Sequence, residues 1–215
     1  MNILKQEKIS AYSHGLLVPV MLAAAILLAV LAGRNIKLTI FVLIYGISAI
    51  TLFTASFLYH AKKKSVDERS VWRRLDRSAI FVLIAGTATP MCFLYLEGTT
   101  RILVLAAQWL LVAAGISFCF FTNARRKIST VLYLAIGGLI IFPFMSRISI
   151  IPPGVLHLFF AGVIFYSAGA LVYALKKPNT HIPNMGFHEV FHMFVIAGAV
   201  FHMLMIIQGV NLYIG

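Results

Sequence analysis

The sequence predicts an all-α integral membrane protein with seven transmembrane helices, and three observations carry that expectation. Of 215 residues, 61% are apolar and 11% charged, whereas soluble domains run nearer half apolar and a quarter charged, so too few polar side chains exist to cover a water-facing surface. The apolar residues gather into seven runs, and the alternating ten-residue pattern of a barrel strand is absent. About 20 apolar residues cross one bilayer as a helix, so seven crossings use roughly 140 residues and leave about 75 for ends and connections. That excludes a separate soluble domain.

Taken in order, residues 1–14 are polar enough to stand as a cytoplasmic N-terminal segment, and residues 15–215 form a single seven-helix transmembrane domain. The first apolar run follows without a small-residue cleavage site, which argues against a removed signal peptide. The spans are expected near 15–33, 39–60, 76–96, 102–122, 129–146, 154–175 and 187–210, each as a helix because a helix satisfies its own backbone hydrogen bonds in lipid. Pro152 and Pro153 open the sixth span, and Pro178 and Pro183 border the loop before the seventh. Pro90, inside the third, predicts a kink, with Thr87 or Thr89 re-satisfying freed carbonyls. Cys92 and Cys119 both lie in apolar runs, as packing cysteines do, so no disulfide framework is expected.

The net charge is +12, and its distribution reads as topology. Fourteen Lys and Arg fall in alternate connections: Lys5 and Lys8, seven from Lys62 to Arg77, then Arg125, Arg126 and Lys127, and finally Lys176 and Lys177. The other connections hold four, Arg34, Lys37, Arg101 and Arg147. Cytoplasmic loops keep positive charge, so the N-terminus is expected in the cytoplasm and the C-terminus outside a bacterial cell membrane. The basic residues have no aromatic interleaving, which excludes a nucleic-acid surface.

With lipid as solvent, ionisable or metal-binding groups at membrane depth carry the chemistry. Ser56 and His60 lie four residues apart on one face of the second span, and His188 and His192 repeat that spacing in the seventh. Asp76 begins the third. The charge-derived topology places all of them in one slab near the cytoplasmic leaflet. Three imidazoles with an open fourth position suit catalytic zinc, so His60, His188 and His192 are the expected metal ligands. Asp76 is the expected catalytic base or partner of a ligand histidine, and Ser56 is expected to orient a ligand or position substrate.

Each group also has a structural alternative: His60 as an interfacial histidine, Asp76 as a helix N-cap, Ser56 as a packing residue. Residues 188–192 read HEVFH and fit the HExxH pattern, which keeps an intramembrane protease open, with Glu189 as base and Asp76 as a third ligand. Glu189 fits equally well as an acid in the first turn of a helix. His14 reads either as interfacial or as part of the site's inner rim, Glu7 as part of a polar end, and His202 as either a cavity residue or a satisfied interior histidine about 15 Å deeper than His192. His157 and His181 lie away from the slab.

The segments SFLYH (56–60), LDRSAIFVLIAGTATP (75–90), YSAGALVY (166–173) and FHEVFHMFVIAGAVFH (187–202) resemble the bacterial hemolysin III family, which is related to the progestin and adipoQ receptors. The resemblance runs from SHG at 13–15 onwards; Ala88 departs from it, standing where many relatives carry an aromatic residue. It implies a seven-helix fold with zinc held by His60, His188 and His192, accompanied by Ser56 and Asp76. It also implies kinship with membrane hydrolases, including alkaline ceramidases, that act on a lipid amide or ester. Four functions follow as expectations: a zinc-dependent lipid hydrolase; a non-catalytic, lipid-responsive protein with structural zinc; a cytolysin or channel; and the protease. The expected partners are membrane lipids, as substrate or ligand. No amphipathic pore-lining stripe supports the channel.

Overall fold

A computed structural model describes residues 3–4, 7–65, 68, 70–122, 126–178, 180, 182 and 185–215, and all regular structure among them is helical. Lys5, Arg125, His181 and Pro183, named above, lie outside the described residues. The helices are α1 (Lys8–Ala32), α2 (Ile36–Lys62), α3 (Val71–Tyr95), α4 (Gly98–Phe121), α5 (Arg126–Gly138), α6 (Ile141–Met145), α7 (Pro153–Leu175) and α8 (Phe187–Ile214). They supply seven crossings long and apolar enough to span a bilayer, residues 128–145 forming the fifth. The chain is a multi-pass membrane protein.

Three boundaries differ from the sequence reading, each for a local reason. The first helix begins at Lys8, not near residue 15, because Ser10, Ala11 and His14 are buried against the bundle and the helix continues to hold them there. The third begins at Val71, capped by Ser70, whose Oγ accepts from Arg73 N at 3.4 Å. Asp76 is therefore inside the helix, and its N-cap reading is removed. The fifth crossing is expected as one helix over 129–146 but is broken at Leu139–Ile140. Gly137 and Gly138 weaken the helix there, and the ring of Pro143 conflicts with a helical carbonyl at Leu139, four residues earlier.

The remaining expectations are met in part. α7 opens at Pro153, whose missing N–H costs nothing at the first helical position. The third helix runs through Pro90, and the Thr89 hydroxyl donates to Ala85 O at 2.7 Å while accepting the Trp109 indole N–H at 3.1 Å. Pro90 deprives the Gly86 carbonyl, one residue further on, so Thr89 ties α3 to α4 and does not refill the freed acceptor. Cys92 and Cys119 are free and buried.

Solvent polarity inverts the usual pattern of exposure. Phe121 and Phe142 are 88% and 82% exposed, as lipid-facing side chains should be, whereas His60, His192, Ser56 and Gln108 are buried. Helices α7 and α8 interlock through glycine sockets, two of which receive rings. A Cβ on Gly162 would collide with the His202 ring, and one on Gly198 would meet the Tyr166 ring at 2.9 Å. Small residues at such crossings let backbones approach where no hydrophobic effect drives association.

Candidate metal centre

The chain turns bring the end of α2, the start of α3 and the start of α8 to one end of the bundle. His60 stands in the last turn of α2, and His188 and His192 stack on one face of α8, four residues apart. One ring nitrogen from each of the three lies within 4.8 Å of the others. His188 Nε2 is 3.4 Å from His60 Nε2 and 3.2 Å from His192 Nε2. Two imidazole nitrogens bound to one tetrahedral zinc at about 2.0–2.1 Å sit about 3.3 Å apart, so these two separations match those such an ion imposes. His188 Nε2–H, if present, can donate to only one of the two neighbouring nitrogens, so at least one pair of acceptors faces each other where a cation would sit. The three histidines are thus close enough to hold a metal ion.

Two of the three histidines are each held from behind. His60 Nδ1–H donates to Glu7 Oε2 at 2.6 Å, and Lys63 Nζ donates to Glu7 Oε1 at 2.7 Å. Burial raises the Glu7 carboxyl pKa, but the hydrogen bonds from His60 and Lys63 outweigh it and bring the group down to about 2. Glu7 is an anion at neutral pH. His192 Nδ1 lies 2.7 Å from His14 Nε2. Glu7 corrects the sequence reading, since at 7% exposed it is no solvated end, and His14, 3% exposed, takes the rim position and not the interfacial one. Their signal was available in the spacing, since residues 7, 10 and 14 share one helix face, but only if the helix is known to begin by residue 8.

Asp76 and Ser56 line a cavity of about 240 Å³ together with His188 and His192. The Ser56 hydroxyl is a hydrogen-bonding neighbour of the Asp76 carboxylate. From this polar end the cavity runs between α3, α5, α7 and α8 through apolar walls to Phe159, Met205 and His202. Near its floor His202 Nε2–H donates to Phe159 O at 3.2 Å, so His202 is both a lining residue and a satisfied interior histidine. His157 is exposed and takes no part.

Glu189 faces elsewhere. Its Oε2 accepts from Gly186 N at 2.8 Å, closing the first turn of α8, and its Oε1 accepts from Ser10 Oγ at 3.1 Å. Both oxygens are engaged in holding the helix start, which is the structural role the sequence left open for it.

The comparisons with known proteins agree with this architecture. The family described as "Haemolysin-III related" matches residues 2–203. The Hemolysin-3 homolog of Bacillus subtilis (strain 168) is 33% identical over 208 residues, covering 93% of this chain and 92% of the relative. Hemolysin-3 of Bacillus cereus is 31% identical over 201 residues, covering 92% of this chain and 89% of the relative. A match over nearly the whole chain, joined to seven spanning helices and a three-histidine cluster at one end, places this protein in the haemolysin-III-related family.

Proposed function

We propose that this protein is a zinc-dependent membrane hydrolase that cleaves a lipid amide or ester. The observation that carries the reading is the convergence of three imidazole nitrogens within 4.8 Å of one another, two of the three histidines lining a mostly apolar cavity that also presents the Asp76 carboxylate. Zinc, when bound, supplies a water activated near neutral pH and a Lewis acid for a carbonyl oxygen. Zinc fits better than magnesium or calcium, which prefer oxygen donors.

The side chains then divide the work. Asp76 takes a proton from the attacking water as the new C–O bond forms at the acyl carbon. It returns that proton to the leaving nitrogen or oxygen as the C–N or C–O bond breaks, giving a fatty acid and an amine or alcohol. Ser56 donates to Asp76 and holds it for that transfer. The apolar walls accept the acyl chain and keep bulk water away from the reacting carbonyl. With the N-terminus inside, as the charge bias predicts, the reacting group lies at the cytoplasmic leaflet.

The test is metal content and turnover on the same preparation. Detergent-purified protein should carry about one zinc per chain, as a three-histidine site would hold, and release fatty acid from a panel of ceramides, N-acyl amides and phospholipids. Properly folded, unchelated protein without zinc would sink the reading. A zinc-loaded protein without turnover, whose Asp76→Asn variant restores full function in a deletion strain, would establish the non-catalytic alternative. The name of the two relatives brings in lysis as a second reading. Leakage of dye-loaded vesicles that persists in Asp76→Asn would favour a pore, whereas leakage lost with turnover would make lysis a consequence of lipid cleavage.

A further inference from the structure

The three ligands leave a buried polar stripe on α1 unexplained. Glu7, Ser10 and His14 fall at i, i+3 and i+7, on one helix face, and are 7%, 0% and 3% exposed. Burying polar groups in a membrane protein is costly unless each finds a partner. Here each partner belongs to the metal centre or to the helix start that carries it. Glu7 meets His60, Ser10 meets Glu189 at the first turn of α8, and His14 meets His192.

The chemistry of imidazole gives the stripe its meaning. A neutral histidine that offers the Nε2 lone pair to a metal must carry its proton on Nδ1, and that N–H needs an acceptor to fix both tautomer and ring orientation. Glu7 Oε2 is that acceptor for His60, at 2.6 Å, and His14 Nε2 is that acceptor for His192, at 2.7 Å. Lys63, bonded to the other Glu7 oxygen, keeps the carboxylate aimed. His14 accepts through Nε2 only as the tautomer protonated on Nδ1, an atom that is buried, has no hydrogen-bond partner among the described residues, and lies beside the Phe53 ring in a T-shaped contact. The opposite tautomer would spare that orphan N–H but would place the His192 proton on Nε2 and abolish its ligand lone pair.

We infer that the first two turns of α1 are the positioning element of the metal centre: Glu7 and His14 set the tautomers and ring directions of His60 and His192, and Ser10 anchors the start of α8 through Glu189. Glu7 and His14 are positioning residues, with no ligand or catalytic role of their own. The inference rests on the three-histidine metal reading above, and it ties metal affinity to docking of the chain's first helix.

The experiment is a zinc titration of full-length, detergent-purified protein against a competing chelator, repeated with cobalt(II) to read the ligand field. It compares wild type, Glu7→Gln, Glu7→Ala, Glu7→Asp, His14→Phe and His192→Ala, with thermal unfolding of each metal-free form as the control on folding. Losing a partner that orients a ligand histidine typically weakens metal binding about 10–100-fold. Glu7→Ala and His14→Phe should show that loss with stoichiometry kept at saturation, a shifted cobalt spectrum, and unfolding close to wild type when metal-free. Glu7→Asp should recover part of the affinity. If Glu7→Ala does not fold, Glu7→Gln, which keeps the shape and an acceptor oxygen but not the charge, carries the readout with a smaller loss. Wild-type affinity and spectrum in the Glu7 and His14 variants, with binding lost in His192→Ala, would overturn the positioning role and leave the metal reading standing. Absence of zinc binding in folded wild type would overturn both.

Discussion

Two buried histidines on the same helix, His192 and His202, make opposite statements about function. Both are below 10% exposed and both lie on α8, and each lines the same cavity. His202 Nε2 meets a backbone carbonyl and its ring fits a socket at Gly162, so packing and one hydrogen bond account for it. His192 meets other imidazoles with both ring nitrogens, at 2.7 and 3.2 Å. Imidazole nitrogens gathered around one point leave lone pairs facing one another, which is unfavourable until a cation takes them. Burial by itself is therefore no signal for a ligand; convergence of acceptors is.

That contrast gives an ordered set of experiments. The largest effect is expected at the cluster: His188→Ala and His192→Ala should each lower zinc from about one per chain to none, while His202→Gln keeps it, because a three-ligand site seldom survives on two. Mass spectrometry of the purified protein reads this directly, and zinc lost in His202→Gln would dissolve the distinction. Next, Asp76→Asn should reduce fatty-acid release by about 10²–10⁴-fold with zinc retained, the range for removing a general base. A third comparison probes packing at the other histidine. Gly162→Ala drives a methyl into the His202 ring and should cost about 1–3 kcal/mol in stability, seen by thermal unfolding in detergent, with metal content unchanged. The smallest effect belongs to Glu189→Gln, expected to lower stability by less than about 1 kcal/mol through the helix start and to leave turnover within about tenfold. A collapse of turnover with zinc retained would instead revive Glu189 as the base of an HExxH protease, where loss of a general base costs about 10²-fold or more.

Reading along the chain finds some of this and misses the rest in a consistent way. The seven crossings are legible because each is a run of apolar side chains that only lipid can solvate. His60, His188, His192, Ser56 and Asp76 are legible because polar groups at membrane depth stand out against that background. Glu7 and Ser10 are not, since they lie among polar residues at the chain's start and resemble any hydrated end, and His14 is placed no more closely than at the interface or the inner rim. The break at Leu139–Ile140 is missed for a different reason, because an apolar run crossing the bilayer looks the same whether or not its helix is continuous.

What the sequence by itself determined is therefore the solvent and the inventory: a chain too apolar for water, cut into spans by its polar turns, with few enough ionisable groups at depth that a candidate ligand set can be named. Those facts follow from local composition and helical period, each read within one span. The tertiary structure alone decided what stands behind the ligands. Glu7 and His60 are 53 residues apart and His14 and His192 are 178, and a hydrogen bond between such partners has no local pattern, because it depends on which helices pack together and at what depth. The same packing turned Glu189 toward the helix start and His202 toward a carbonyl, leaving three imidazoles to face one another, two of them on the wall of the cavity.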